Sequence, residues 1–175
     1  TVMYPNSKRP LKETDVVSAN SMHDKYFGIG NTKVYLEKMC EFYAGAGQTK
    51  FTAIRHSNIY GPHDKFDPEK SHVFGATLTK VMNAKDRISV WGTGRESRDL
   101  LYVEDLVRFV LQVLEKQQNQ YELFNCGYGE SIAIRDLVKK IAGIAEKKLE
   151  ICYDHTKPTI ETSLLLDCTR AQRLL

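Results

Sequence analysis

Long apolar runs, paired cysteines and the common local fingerprints of catalysis are all missing from this sequence. No apolar run approaches the ~18 residues that a membrane-spanning helix needs. The four cysteines include no Cys-x-x-Cys spacing, and no GxGxxG, P-loop, HExxH or GxSxG motif occurs. The sequence therefore predicts no membrane partner, no metal and none of the chemistries that those motifs perform.

A large excess of charge of one sign is missing as well. The 175 residues include 25 Lys and Arg against 22 Asp and Glu, a net charge of +3, and the two signs are interleaved almost throughout. A nucleic-acid-binding protein would concentrate its basic residues in a patch or stripe, so no nucleic acid partner is predicted. The cysteines (Cys40, Cys126, Cys152 and Cys168) stand among apolar or helix-forming neighbours, which predicts buried thiols in a reduced, cytoplasmic compartment.

Both ends of the sequence differ from ordinary chain termini. The first residues, 1–5, lack an initiator Met and predict the tail of a β-strand. The last residues, 170–175, follow a helical pattern without a Gly or Pro stop signal. We interpret both ends as truncations.

Patterns typical of strands and helices alternate along the chain. Apolar periodicity predicts helices that begin near residues 31, 73, 104 and 135, and strands over 51–55, 88–91, 100–103 and 149–153. The polar segment 5–27 contains two prolines and is predicted to be a loop with at most a short helical turn. Such alternation is typical of an α/β fold.

Four motifs occur in an order that resembles one enzyme family. They are Gly28–Lys33, Arg55–Pro62, Val90–Gly94 and Arg98–Leu106. In order and spacing they resemble the extended short-chain dehydrogenase/reductases of the NAD-dependent epimerase/dehydratase family, over nearly the whole sequence. The segments 60–66 and 71–73 further resemble the substrate loop of the GDP-L-fucose synthase branch.

The resemblance implies the C-terminal part of a Rossmann-type parallel sheet plus a small α/β substrate-binding domain. Residues 1–60 would be the C-terminal part of the dinucleotide-binding domain. Residues 61–175 would be mainly the substrate-binding domain, with one or more segments returning to the Rossmann sheet. The family's glycine-rich cofactor loop precedes this region and has no counterpart here. Family members form homodimers, and the broad apolar face of the predicted helix at 31–43 agrees with that.

The family's acid–base pair is a Tyr-x-x-x-Lys on one helix, in which the tyrosine exchanges a proton with the sugar and the lysine holds the nicotinamide ribose. Lys33 matches the lysine, but Ile29 occupies the tyrosine position and has no proton to donate. Tyr26, three residues earlier, is an alternative acid; the other interpretation is a hydrophobic plug ahead of the helix. The family's catalytic Ser or Thr falls just before Thr1.

His72 matches a histidine that the family uses as an acid or base in epimerisation; a surface or helix-capping histidine is the alternative. The partner cysteine of that step corresponds to Val2. The missing thiol counts against two-base epimerisation and leaves reduction, oxidation or 4,6-type chemistry open.

The remaining resemblances concern substrate and cofactor contacts. Arg98 matches an arginine that holds the substrate pyrophosphate, a task suited to a planar guanidinium. Other substrate contacts would be Asn58, Val73, Lys80 and Trp91. For Lys80 the alternative is a solvated helix lysine, and for Trp91 it is a core tryptophan. His56 and Ser57 would contact the nicotinamide carboxamide.

Together these observations predict an NAD(P)-dependent nucleotide-sugar epimerase, reductase or dehydratase, with a GDP-sugar as the favoured substrate and NAD or NADP as cofactor. The alternative is a nucleotide-sugar-binding pseudoenzyme or regulatory subunit, because Ile29 replaces the tyrosine. A third interpretation is a folded fragment with neither activity. The chain by itself is not expected to turn over substrate.

Overall fold

The chain forms two compact units. The fold is taken from a computed structural model, which describes residues 2–5, 7, 9–15, 22, 24–67, 70–157 and 163–175. Unit 1 comprises Thr1–Ile59, Asp99–Glu130 and Leu164–Leu175, and unit 2 comprises Tyr60–Arg98 and Ser131–Ser163. Each unit combines helices with a pair of parallel strands, so the predicted α/β class is confirmed.

Helices and strands alternate along the chain. The helices are α1 (Phe27–Ala46), α2 (Val73–Asn83), α3 (Val103–Lys116), α4 (Ile134–Ile144) and α5 (Thr169–Leu174), and a short 3-10 helix, Asp24–Tyr26, directly precedes α1. The strands are β1 (Phe51–His56), β2 (Asn58–Tyr60), β3 (Arg87–Trp91), β4 (Ser97–Tyr102), β5 (Tyr121–Cys126), β6 (Ser131–Ala133), β7 (Glu150–Asp154) and β8 (Ser163–Leu164).

Unit 1 is built on the parallel strands β1 and β5. Their register runs from Phe51 opposite Tyr121 to His56 opposite Cys126, so both strands end at the same edge. Helices α1 and α5 pack against this strand pair. One buried apolar cluster of this unit consists of Val113, Phe124 and Ala171, and a second consists of Tyr4, Leu11 and Leu166.

Unit 2 is built on the parallel strands β3 and β7. Arg87 lies opposite Glu150 and Trp91 opposite Asp154. Burial alternates along β3, as expected for a strand with one covered face. Helix α2 packs against α4. The larger buried apolar side chains of the unit are Val81, Ile88, Val90, Leu137, Val138 and Ile141.

The chain passes between the units at four points, and each lies in or beside a short strand. The crossings follow Ile59 in β2, Arg98 in β4, Glu130 just before β6 and Ser163 in β8. Each unit is therefore assembled from separate stretches of the sequence.

The C-terminus of α2 is capped by a lysine from the segment after α4. Lys147 Nζ donates hydrogen bonds to the carbonyl oxygens of Val81 at 3.1 Å and Ala84 at 2.8 Å, and also to that of Met82. The last carbonyls of a helix have no partners within it, and a cation there also suits the helix dipole. Lys147 thereby fixes the last turn of α2, in which Lys80 lies.

Helix α1 begins at Phe27, earlier than the predicted start near residue 31. Its glycine-rich first turn has no apolar period, but side chains hold it: Asn31 Nδ2 donates to the Phe27 carbonyl at 2.7 Å, and Thr32 Oγ1 donates to the Gly28 carbonyl at 3.0 Å. Gly30 packs closely against Met22, since a Cβ at this position would lie 2.5 Å from Met22 Sδ and the methionine would have to shift.

Two further expectations are wrong. Residues 2–4 form a turn and a bend rather than the tail of a strand. All four cysteines are free thiols, but only Cys126 is buried, and Cys40, Cys152 and Cys168 are half-buried. A helix or strand position with apolar neighbours in sequence does not place a side chain in the core unless that face is covered.

Candidate functional site

A cavity of about 650 Å³ lies within unit 2. Its walls come from α2, β3, the segment before β4 and the start of α4. Apolar side chains form much of the lining, and its polar residues are Ser71, Thr77, Lys80, Ser89, Glu96 and Arg98. The cavity also brings together four of the predicted substrate residues: Val73, Lys80, Trp91 and Arg98. Its size is typical of a site for a small organic ligand.

Lys80 and Trp91 form a cation–π pair in this cavity. Lys80 Nζ lies 4.7 Å from the centroid of the Trp91 ring. The ring is 48% exposed, so it does not belong to the core. Burial lowers the pKa of Lys80, which is consistent with a half-buried ammonium rather than a fully solvated one. An aromatic face beside a cation can stack a planar ring and bind an anion at the same time.

Glu96 and Arg98 lie two residues apart on the cavity wall. Arg98 is half-buried, and its Nη1 donates to the Ser97 carbonyl at 2.8 Å. Glu96 Oε1 is shut off from solvent and has no hydrogen-bond partner among the described residues. The Glu96 carbonyl accepts the Ile134 backbone N–H at 2.9 Å, which fixes this segment to α4. Sequence reasoning missed Glu96, although alternate residues of an extended segment share a side and Glu96 stands two before Arg98.

His72 is the residue immediately before α2. Its backbone is extended, its side chain is exposed, and it makes no side-chain capping hydrogen bond. Its neighbours Ser71 and Val73 both line the cavity. His72 therefore stands in the sequence between two residues that line the cavity. The alternative that its side chain caps α2 is wrong.

The residues related to the acid–base pair lie at the start of α1 in unit 1. Tyr26 immediately precedes the helix, and Ile29 lies in its first turn with 54% of its surface exposed. Lys33 follows one turn later and is half-buried. Positions four residues apart fall on one face of a helix, so Ile29 lies on the same side of α1 as Lys33.

His56 and Ser57 lie at the carboxyl end of β1. His56 Nδ1 is 2.8 Å from the Ser57 carbonyl oxygen. Burial lowers the pKa of His56, and the positive charge of Lys33 lowers it further. Both effects favour the neutral form of the imidazole, and Nδ1–H donates to the Ser57 carbonyl. The structure brings Lys33 and His56 within electrostatic reach of each other at the edge where parallel strands commonly bind ligands.

Asn58 contacts the backbone of a buried aspartate that the sequence analysis did not single out. Asn58 Nδ2 donates to the Asp99 carbonyl at 3.2 Å, and the Asp99 side chain is fully buried. Burial raises the pKa of Asp99, opposed by hydrogen bonds such as the one that its Oδ1 accepts from the Tyr128 N–H at 2.9 Å. A Cβ at Gly127 would lie 2.5 Å from Asp99 Oδ2, so this loop needs glycine there.

A buried polar network ties α1 to β1. Arg55 Nε and Nη2 donate to the two carboxylate oxygens of Glu37 at 2.8 and 2.7 Å, and Arg55 Nη1 donates to Tyr4 Oη at 2.8 Å. Tyr4 Oη in turn donates to Asn125 Oδ1 at 2.8 Å. Burial alone would lower the pKa of Arg55, but these hydrogen bonds raise it. Glu37 is one helical turn after Lys33, so the network fixes the part of α1 that carries the lysine.

The polar groups of the cavity suit an organic anion better than a metal ion. They comprise hydroxyls, two cations and one carboxylate. In the part of the chain that the structure describes, no cluster of three or more His, Cys, Asp or Glu residues could hold a metal ion. Nor does any helix within those residues have both the length and the apolar character needed to cross a membrane.

The paired parallel strands and flanking helices place the chain among Rossmann-type α/β proteins. A model described as "NAD dependent epimerase/dehydratase family" matches residues 1–127, which is more than half of the chain. The chain belongs to this family.

Curated relatives agree with this assignment. GDP-L-fucose synthase of Escherichia coli (strain K12) is 30% identical over 186 residues, which cover 98% of this chain and 57% of the relative. A GDP-L-fucose synthase of Sinorhizobium fredii is 34% identical over 174 residues, covering 96% of this chain and 54% of the relative. The chain spans about half the length of these relatives.

Among solved structures, the chain is similar to the UDP-glucose 4-epimerase of Thermotoga maritima, crystallised with UDP-glucose. The TM-score is 0.81 at 27% identity, over 98% of this chain and 52% of the neighbour. The resemblance inferred from the four motifs is therefore confirmed at the level of the family and the fold.

Proposed function

We propose that the chain acts in an NAD(P)-dependent nucleotide-sugar epimerase, reductase or dehydratase, with a GDP-sugar as the favoured substrate. The observation that carries the proposal is the cavity of unit 2, which combines the Trp91 face, the Lys80 ammonium and the Arg98 guanidinium. A nucleoside diphosphate offers the complementary groups, a flat base and a diphosphate dianion. A guanidinium can bind phosphate oxygens in bidentate fashion.

The two units divide this task in the proposal. Unit 2 is assigned to the substrate and unit 1 to the cofactor. NAD or NADP, when bound, supplies hydride transfer. Lys33 would hold the nicotinamide ribose, and the backbone at His56 and Ser57 would meet the carboxamide. The fit is supported by the position of His56 at the carboxyl end of β1, because ligands of parallel sheets bind beyond this end of the strands.

The assignment of unit 2 is tested by nucleotide binding. We expect GDP to bind the chain in isothermal titration calorimetry and Arg98→Ala to weaken it about 10- to 100-fold, because charged hydrogen bonds to phosphate are lost. Arg95→Ala is the matched control, since Arg95 is exposed and does not line the cavity. The proposal is contradicted if no nucleoside diphosphate binds, or if Arg95→Ala weakens binding as much as Arg98→Ala does.

A nucleotide-sugar-binding pseudoenzyme or regulatory subunit is the second candidate, and Ile29 favours it. An aliphatic side chain lies on α1 one turn before Lys33, where acid–base chemistry requires a proton donor. If the protein is instead an enzyme, Tyr26 donates the proton from its position just before α1. His72, just before α2, then acts as an acid or base beside the cavity.

Hydride transfer distinguishes the two candidates. The test uses the chain extended to the full length of its relatives: an enzyme then oxidises NADH or NADPH in the presence of a nucleotide 4-keto sugar, and Tyr26→Phe lowers kcat by at least about 100-fold. Tyr43→Phe, at the other end of α1, leaves kcat unchanged. Nucleotide binding without any cofactor oxidation would instead support the binding protein.

The assembly and location of the protein complete the proposal. Six large apolar side chains of α1 are more than half exposed, and four of them recur at a spacing of seven residues: Tyr35 with Phe42, and Leu36 with Tyr43. Such an apolar helix face supports a homodimer, which the mass in solution by analytical ultracentrifugation tests. Four free thiols support a reduced, cytoplasmic location.

A further inference from the structure

Lys80 is a half-buried amine that pairs with no carboxylate in the described part of the chain. Its Nζ lies over the Trp91 ring, 4.7 Å from the centroid, whereas Lys38 on the surface of unit 1 pairs with Glu41 at 2.8 Å. Burial lowers the pKa of Lys80, and no neighbouring charge contributes to the shift. A larger share of this amine is therefore neutral at a given pH than of a fully solvated lysine.

The Trp91 ring favours the charged form of Lys80, but it does so weakly. A ring face attracts an ammonium less strongly than a carboxylate at ion-pair distance does. A neutral amine has an electron pair with which to attack a carbonyl carbon, and lysines in apolar pockets react in this way. Much of the lining around Lys80 is apolar, so its surroundings suit this reaction.

We propose that Lys80 forms an imine with aldehydes that carry an anionic group. The neutral Nζ gives its electron pair to the carbonyl carbon, and one amine proton passes through water to the carbonyl oxygen. The carbinolamine then loses its hydroxyl and the second amine proton as water, which leaves a C=N bond. The reaction needs no oxidant or reductant. When protonated, the imine is again a cation and keeps the attraction of the Trp91 ring.

The cavity around Lys80 determines which aldehydes fit. Arg98 lines the same cavity, and a guanidinium suits a phosphate or carboxylate group. Trp91 is half-exposed, so its ring can also stack a planar ligand. The volume of about 650 Å³ admits a small molecule that has both features. The favoured ligands are therefore planar aldehydes with a phosphate or carboxylate group.

The position of Lys80 in the fold distinguishes it from other lysines of unit 2. Lys147 holds the last turn of α2, donating to the Ala84 carbonyl at 2.8 Å, and so fixes the part of the helix that carries Lys80. A nucleophile held beside the group that binds its reactant gains a large advantage over one in solution. Lys85 and Lys148 are exposed and do not line the cavity, so they lack this advantage.

The test uses pyridoxal 5′-phosphate, a planar aldehyde with a phosphate group, as the probe. One equivalent is mixed with the chain, sodium borohydride reduces the imine to a stable secondary amine, and peptide mass spectrometry locates the label. We expect at least about tenfold more label on Lys80 than on Lys85 or Lys148. Pyridoxal, which lacks the phosphate, should lose this preference.

Two variants sharpen the test. Lys80→Arg keeps the charge but cannot form an imine, so the label in the cavity should disappear without an increase at Lys85. Arg98→Ala should lower the labelling of Lys80 about tenfold and leave Lys85 unchanged, whereas Arg95→Ala, at an exposed arginine outside the cavity, should change neither.

Two outcomes overturn the inference. In the first, Lys80 carries no more label than Lys85 and Lys148. In the second, pyridoxal labels Lys80 as well as its phosphate does, which shows that no anion is recognised. Both comparisons use wild-type protein, so they decide the question even if a variant does not fold. The inference goes beyond the proposed function and does not depend on nucleotide binding, so either can fail without the other.

Discussion

The buried arginine of unit 1 and the cavity cations of unit 2 have different surroundings. In unit 1, Arg55 is 7% exposed, and its donors are taken up by Glu37 and Tyr4. In unit 2, Lys80 and Arg98 line a cavity, and Lys80 faces an aromatic ring instead of a carboxylate. A charge that the protein itself satisfies stabilises the fold, whereas a charge placed beside a cavity can serve a ligand. The comparison indicates a structural network in unit 1 and a binding surface in unit 2.

The largest effect should come from breaking the network of unit 1. Arg55→Met leaves the Glu37 carboxylate, 12% exposed, without its partner, and we expect the free energy of unfolding to fall by about 3–5 kcal/mol. Urea unfolding followed by circular dichroism measures it. The double variant Arg55→Met with Glu37→Leu should recover most of the loss, because no uncompensated buried charge remains.

An exposed ion pair provides the control for this prediction. Arg108 and Asp105 are bonded at 2.9 Å, but their side chains are 71% and 48% exposed. Arg108→Met should therefore cost no more than about 1 kcal/mol. A loss for Arg55→Met as small as that for Arg108→Met would show that the network does not hold α1 against β1.

A smaller effect in unit 2 separates a structural cation from a ligand-binding one. Lys147→Met removes the donor to the last carbonyls of α2 and should lower the free energy of unfolding by about 1–2 kcal/mol. Lys80→Met, on the same helix, should cost less, because only its contact with Trp91 is lost. Lys148→Met, at an exposed neighbour, should stay within about 0.5 kcal/mol of wild type. Equal losses at Lys80 and Lys147 would contradict the distinction drawn between them.

Most helices and strands were predictable, because local apolar patterns in the sequence indicate them. The helix predicted to start at residue 73 and the strand predicted over 88–91 appear as α2 and β3, since their apolar spacing matches the faces that become buried. The start of α1 was not predictable in this way. Glycines in its first turn provide no apolar period, and the hydrogen bonds from Asn31 and Thr32 that hold it exist only once the helix has formed.

The candidate site was predictable in its cations but not in its carboxylate. Arg98 and Trp91 belong to motifs that the sequence displays, Lys80 was predicted from its position in the family, and the fold places all three in one cavity. Glu96 has no distinctive spacing in the sequence. Its Oε1 is buried without a hydrogen-bond partner among the described residues, which is a property of packing. The pairing of Arg55 with Glu37 was likewise hidden, because it joins a strand and a helix that are adjacent only in the folded unit.

The sequence by itself determined the alternation of helices and strands, the family, and the residue types available for chemistry, including Ile29 where a tyrosine is expected. These depend on local periodicity and on motif order, which no folding is needed to recognise. Only the tertiary structure decided which charges are satisfied within the protein and which line a cavity. Burial and hydrogen-bond partners are set by residues distant in the chain, so Arg55 became a structural residue, whereas Lys80 and Arg98 came to line a cavity.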